Sequence, residues 1–354
     1  KMLEITDRVA NIHHIEFGQA KSNIMKIGRR GEKIPQNLGE ITLEYTEKYK
    51  YLGMIQNSKN NLQEQIRSIK AKVEAAYQTI LAIASDSVFL NMEMQTIWEN
   101  VEACIVPIIT YSGEVWNPTE TEMKEINRIL DAIIKRILQV PTGTPREALY
   151  IETGLLDPET IIKRNRITME NRVIKGEGKV MKNIIKNDQR NGWKEVTEKT
   201  KQELKIEKED MELTKMATER VIKKKTNTFF KNKMEEEGKN KSKVQYLLQG
   251  KINQWEPMKR EKYMDQMTRN EVSAIFKART RMIDVKNNYR NKYKDNICRL
   301  CEIELETQEH ILEECIEIHI NDSTKVTKQE LFAKTVSKVT AKKIIDIEEK
   351  LKEK

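Results

Sequence analysis

The chain has 354 residues, a formal net charge of +9, 34% charged residues and only 6% aromatic ones. That composition excludes one large apolar core and favours long charged helices with modest apolar stripes, in two or three units. The longest apolar run, around residues 103–111, is far too short to span a bilayer, and no secretory signal is present. No membrane association is therefore expected, and an intracellular protein, nuclear or cytoplasmic and not secreted, is. The basic excess favours a polyanionic partner, with nucleic acid the default.

Residues 1–57 carry the strand character. Asn23–Ile27 and Ile41–Tyr45 alternate apolar and polar, a Gly/Pro-bearing loop from Gly28 to Gly39 separates them, and Tyr49–Ile55 reads as a third strand. From Asn61 the period changes. Leu62, Ile66, Ile69, Val73 and Tyr77 recur at three and four residues and mark an amphipathic helix. A second helix is expected from Asn91 to Cys104, before Pro107, with Cys104 as buried packing. Thr119 with Glu122 forms a capping box for a third helix through Leu138. Asp157-Pro158 is an N-cap and first-turn pair for a fourth through Ile174. Residues 175–260 are rich in lysine and glutamate and read as exposed helices joined by hinges near Gly176, Gly178, Gly238 and Gly250. A further helical segment begins at Glu271 and leads into a basic arm.

Three of the four cysteines then fall in one window with a histidine: Cys298-x2-Cys301-x8-His310-x4-Cys315. This is the ligand set of a structural Cys3His zinc site, because Zn²⁺ takes thiolates and imidazole nitrogen in a tetrahedron. A redox CxxC would need a βαβ context and a disulfide an oxidising compartment, and neither is indicated. His319 is a substitute ligand that lies outside the spacing.

Charge is distributed unevenly around this window. Lys277 to Arg299 holds eight basic residues and two acids, whereas Glu302 to Glu317 holds seven acids and no basic residue. Phosphate would avoid the acidic loop and favour the arm, where Arg279, Arg281, Arg290, Lys292 and Lys294 are interleaved with Tyr289 and Tyr293. The alternative is that loop and arm neutralise one another.

These segments, in order, resemble the C-terminal third of LINE-type (non-LTR) retrotransposon reverse transcriptases. Phe17–Met25 resembles the segment after the polymerase active site, with Lys21 matching and Ser22 in place of the usual threonine. Tyr49–Gly53 resembles the hairpin that grips the primer end, which implies nucleic-acid contact at Lys21, Tyr51, Leu52 and Gly53. Tyr111–Trp116 resembles the segment that follows the thumb, Arg146–Gly154 a recurring segment beyond it, and Lys277–Cys315 the C-terminal zinc knuckle. The resemblance spans residues 1 to about 320 and implies RNA template, primer or target DNA as partners, together with an upstream remainder of the polyprotein. One departure matters. The family's polymerase holds two Mg²⁺ ions on paired aspartates, and this chain contains no Asp-Asp pair. Mg²⁺ would belong to the full polymerase only, and the chain alone is expected to be catalytically inactive.

The expected architecture is mainly α, with a small α+β palm-edge remnant at 1–57. A helical thumb-like part at 58–156 and a charged helical connector at 157–270 follow, then the basic arm and knuckle at 271–322 and a charged helical tail at 323–354. The chain begins with Lys1, so a fragment of a longer protein is expected. A stand-alone zinc-clipped nucleic-acid-binding protein and a helical protein-interaction scaffold are the competing readings.

Overall fold

A computed structural model describes residues 1–28, 34–85, 94–187, 192–251, 254–289, 291–320 and 322–354. Helix accounts for 61% of the structure and strand for 6%, which makes it mainly α with a small sheet region at the N-terminus. Contacts group the chain into two units, residues 1–72 with 118–125 and residues 73–117 with 126–354.

The first unit opens with helix α1 (Met2–Ile12), the helical part of the small α+β region expected at the N-terminus. Strand β3 (Ile41–Tyr45) is central to a small sheet, parallel to β1 (Asn23–Ile24) and antiparallel to β2 (Gln36–Leu38). The stretch 49–55, read as one strand, instead folds back on itself. It forms an antiparallel hairpin of β4 (Lys48–Tyr51) and β5 (Met54–Asn57), with Tyr51 opposite Met54. The turn residues Leu52 and Gly53 have φ of 45° and 86°, the two positive values a tight type I′ hairpin turn demands. Glycine adopts this region freely, whereas leucine does so at a steric cost. Helix α2 (Gln63–Ser85) starts under the carboxylate of Glu122, which accepts from the Leu62 amide at 2.8 Å and the Thr119 amide at 2.9 Å. The expected capping box thus starts α5 (Glu120–Ile137) and also pins the start of α2.

In the second unit, α3 (Met94–Asn100) runs through a π-turn at Val101–Ile105 into α4 (Val106–Thr110). Pro107 therefore sits inside a helix that was expected to stop before it. Proline lacks an amide and clashes with the carbonyl four residues back, and the widened turn, in which the Val106 amide reaches the Val101 carbonyl, makes room for it. Cys104 lies on the exposed side of this turn and is not core packing. The Asn91 start expected for this helix lies outside the described residues.

Helix α6 (Arg146–Thr153) is buried along almost its whole length and ends at Gly154 with φ of 69°. There a side chain would collide with the Lys259 backbone, 2.6 Å from the Cβ position. Helix α7 (Pro158–Lys175) starts as expected, with Asp157 accepting from the Thr160 amide at 2.9 Å. Helices α8 (Lys179–Asn187), α9 (Trp193–Glu203), α10 (Lys208–Glu212), α11 (Lys215–Gly238) and α12 (Ser242–Gly250) follow. This charged block is more than a solvated face. Phe230 of α11 packs edge-on against Tyr150 at 5.8 Å and Trp255 at 6.4 Å between ring centroids. Gly238 and Gly250 are close-packing positions, pressed against Val244 and Phe332, and not hinges. Helices α13 (Tyr263–Gln266), α14 (Arg269–Arg279), α15 (Lys328–Leu331) and α16 (Lys338–Glu353) complete the unit, with α14 packed along α16. Among the described residues, no helix is long and apolar enough to cross a membrane.

Asp157 gives this fold a titration signature. It is fully buried and pairs with Lys233 at 2.8 Å and Arg146 at 3.1 Å. Burial alone would raise its pKa, but Lys233 and Arg146 hold it down at about 2, against 3.8 for an ordinary aspartate. A depressed carboxylate contributes stability that is complete above the unfolded-state pKa and is lost as pH falls through the folded-state one. About 2 kcal/mol should disappear between pH about 4 and about 2. Urea midpoints followed across that window check this, and Asp157→Asn should flatten the loss.

Candidate metal centre

The ligating atoms of Cys298, Cys301, His310 and Cys315 all lie within 4.8 Å of one another. Local backbone chemistry brings them together. Ile297 bridges to Leu305, and the Cys298 amide donates to the Glu304 carbonyl at 2.8 Å, closing a tight loop over the CxxC pair. Glu302 takes a left-handed φ of 56° to make that turn. Thr307 Oγ1 accepts from the His310 amide at 3.0 Å and starts a single π-turn from His310 to Glu314. The Cys315 amide closes that turn on the His310 carbonyl at 2.7 Å. Cys298, Cys315 and His310 are buried, and Cys301 is half-buried.

Cys298 Sγ and Cys315 Sγ are 3.9 Å apart, and Cys301 Sγ is 3.4 Å from His310 Nε2. A tetrahedron with metal–sulfur bonds of about 2.3 Å has edges of about 3.8 Å, and the four atoms are close enough together to hold such an ion. Nδ1 of His310 faces Glu314 at 4.0 Å, which leaves Nε2 toward the cluster. Backbone amides supply further donors: those of Cys301 and Leu300 to Cys298, of Glu304 and Ile303 to Cys301, and of Glu317 to Cys315. With no cation present, burial pushes Cys315 up to about 12 and raises Cys298. Burial also acts upward on Cys301, but the amides of Glu304 and Ile303 outweigh it and lower its pKa. His319 is engaged elsewhere, at 3.0 Å from Thr324 Oγ1 and 2.9 Å from the Ile311 carbonyl, and stands outside the cluster.

The basic arm differs from its sequence reading. Arg279, expected to meet phosphate, is only 2% exposed. It donates to the Leu331 carbonyl at 2.8 Å, lies 3.2 Å from Glu152 and 3.1 Å from Glu261, and sits over the Tyr263 and Phe332 rings. Arg281 pairs with Glu309 and lies over the Tyr246 ring. Lys292 pairs with Asp284 and Lys286 with Asp295, each at 2.7 Å. Tyr289 donates to the Met282 carbonyl, and Tyr293 to Asp284. Lys294 is exposed, and Arg290 lies outside the described residues. In the first unit, Lys21 is exposed, and Tyr51 and Leu52 are 59% and 74% exposed at the hairpin tip beside Gly53.

Two residues essential to this geometry carried no signal in the sequence. Glu306, read as one of seven phosphate-repelling acids, is fully buried. Its carboxylate accepts from the amides of Lys286 and Arg299, each at 2.8 Å, and pairs with the Arg299 guanidinium at 2.7 Å. Arg299 in turn donates to the carbonyls of Asp284 and Leu351, each at 3.1 Å. Loop and arm do neutralise one another here, through Arg299–Glu306 and Arg281–Glu309.

No family model matches the chain, and no curated protein or solved structure does either.

Proposed function

We propose that the chain is a non-catalytic, nucleic-acid-binding portion of a retrotransposon-type RNA-directed DNA polymerase, with a structural Zn²⁺ on Cys298, Cys301, His310 and Cys315. The observation that carries this reading is the convergence of those four ligand atoms at the position where the resemblance calls for a knuckle. When bound, the ion acts as a cross-link between two loops, not as a catalyst, because four protein ligands leave no open position. The chain's own residues do the rest. Glu306 and Arg299 lock the knuckle to the arm, so the metal fixes where the arm's surface cations stand.

In this reading nucleic acid is met by two separate contact zones, one on the arm with Arg281, Lys292 and Lys294, the other in the first unit with Lys21, Tyr51, Leu52 and Gly53. Arg279 belongs to neither. Replacing Arg281, Lys292 and Lys294 with alanine should shrink the slope of log affinity against log salt by roughly 0.7–0.9 for each phosphate no longer engaged. Replacing the exposed loop acids Glu302, Glu304 and Glu317 with glutamine should leave binding unchanged or strengthen it, and Glu306 must be left in place. Filter-binding titrations at several salt concentrations test both. An unchanged slope in the triple-alanine variant refutes the arm as the contact surface.

One observation favours the scaffold reading: the arm's cations at 281, 286, 292 and 299 already have carboxylate partners. Under that reading no oligonucleotide binding is measurable at low salt with the zinc-loaded chain.

A further inference from the structure

The second unit contains a small pocket of about 210 Å³ between the π-turn, the end of α6 and the first turns of α7. Val106, Leu155, Leu156, Ile161 and Met258 line its apolar wall. Arg164 and Arg260 also line it, with Glu102.

Arg164 is unusual among the enclosed arginines. Arg146, Arg260, Arg279 and Arg299 each pair with carboxylates, and Arg166 donates to the Glu114 and Trp116 carbonyls. Arg164 is partly buried, and among the described residues no group lies within ion-pair or hydrogen-bond distance of its guanidinium. Partial burial lowers its pKa, while its guanidinium nitrogens still reach solvent. A half-buried guanidinium with no carboxylate beside it among the described residues, set on an apolar pocket wall, is a ready seat for an anion. Arg260 adds a second unpartnered polar group. It pairs with Glu102 and Asp265, but its buried Nε has no partner among the described residues.

The backbone around this pocket is also irregular. Glu102 lies within the π-turn and Val106 directly follows it, Gly154 has φ of 69°, and Met258 has φ of 63°. The Met258 amide donates to the Gly154 carbonyl at 2.8 Å, which ties the two left-handed positions together. π-turns and left-handed non-glycine residues carry a local cost and concentrate at binding sites.

We propose that this pocket captures the C-terminal residue of a partner polypeptide, an aliphatic residue bearing a free α-carboxylate. The size supports this class. Pockets for whole small molecules span about 300–1,000 Å³, whereas this one has room for one side chain and one carboxylate. Among its lining residues there is no aromatic ring, so it offers no stacking platform for a nucleobase. An internal aspartate or glutamate would bring a charge without an apolar group on the same residue. A chain-terminal leucine carries both, with its carboxylate on Arg164 as a bidentate pair and its side chain on Leu155, Leu156 and Ile161. Such capture is independent of nucleic-acid binding.

The test is ligand-observed saturation-transfer NMR on the full zinc-loaded chain with N-acetyl-leucine as probe. N-acetyl-leucine should bind, and N-acetyl-leucinamide, which lacks the carboxylate, should bind about tenfold more weakly or not at all. Arg164→Met keeps the apolar stem and should cause the same loss. Met258→Glu alters an exposed residue, places a negative charge at the mouth, and should also abolish binding. Unchanged melting temperature and zinc content confirm that each variant is folded. The proposal is overturned by no transfer to N-acetyl-leucine at saturating concentration, or by equal binding of the amide. It is also overturned if neither substitution weakens binding, or if inorganic phosphate competes as well as N-acetyl-leucine does.

Discussion

Replacing Cys301 with serine is expected to remove stoichiometric zinc and to unfold the knuckle, while the rest of the second unit keeps its helices. Cys301 is the suitable position because it is the least buried of the three thiols. A serine there adds little desolvation penalty of its own, so the loss reports the metal. The effect should be large. Structural zinc in small modules supplies about 10–16 kcal/mol of apparent binding free energy near neutral pH, and much of it is folding free energy. The consequences should extend beyond the ligand loops. The Val326 amide donates to the Leu312 carbonyl at 2.9 Å, and Arg299 donates to the Leu351 carbonyl, so the Val326 amide and the last turn of α16 should lose protection as well. The pH dependence has a definite sign. Binding replaces thiol protons, and burial favours the protonated form of Cys315 and Cys298 when no cation is present. Zinc affinity should therefore fall with acid, by up to tenfold per displaced proton per pH unit. Metal analysis under reducing conditions, with hydrogen exchange across residues 295–353, measures both. A reduced parent chain without zinc, or a Cys301→Ser variant that keeps one zinc per chain, contradicts the assignment.

Arg279→Ala is expected to destabilise the second unit by about 3–5 kcal/mol, the usual cost of removing one partner from a buried charge cluster. Glu152 is fully buried between Arg279 and Lys251, at 3.2 Å and 3.0 Å, and also accepts from the Tyr263 hydroxyl. Without Arg279 its carboxylate keeps one cation and loses the other, and the Leu331 carbonyl loses its donor. Lys294→Ala on the same arm removes an exposed charge and should change stability by no more than about 0.5 kcal/mol. Urea midpoints for the two variants, at constant slope, separate these outcomes. An Arg279→Ala chain as stable as its parent would show that the cluster is not structural. The same pair of variants also guards the salt-dependence experiment, since an arm variant that includes Arg279 would lose affinity by unfolding.

The sequence by itself determined the features that depend on short spacings and local chemistry. The ligand spacing from Cys298 to Cys315 was legible because both halves of the site are single turns, whose geometry the intervening residues dictate. The caps at Asp157 and at Thr119 with Glu122 were legible for the same reason, since a cap reaches only three residues along the chain. The mainly helical class followed from composition and apolar period. Tertiary structure alone decided the fate of charges and glycines. Arg279 and Lys294 lie on one basic stretch, yet one is a buried linchpin and the other a surface cation, because the burial of Arg279 depends on Glu152, more than a hundred positions away in the chain. Glu306 looked like its acidic neighbours until Arg299 and the Lys286 amide closed around it. Gly238 and Gly250 read as hinges, but Val244 and Phe332 fill the space their missing side chains leave. The guanidinium of Arg164, without a partner among the described residues, has no counterpart in any local pattern. Charge pairing and close packing are satisfied by whatever the fold brings within a few ångströms, and in this chain those partners are distant in sequence.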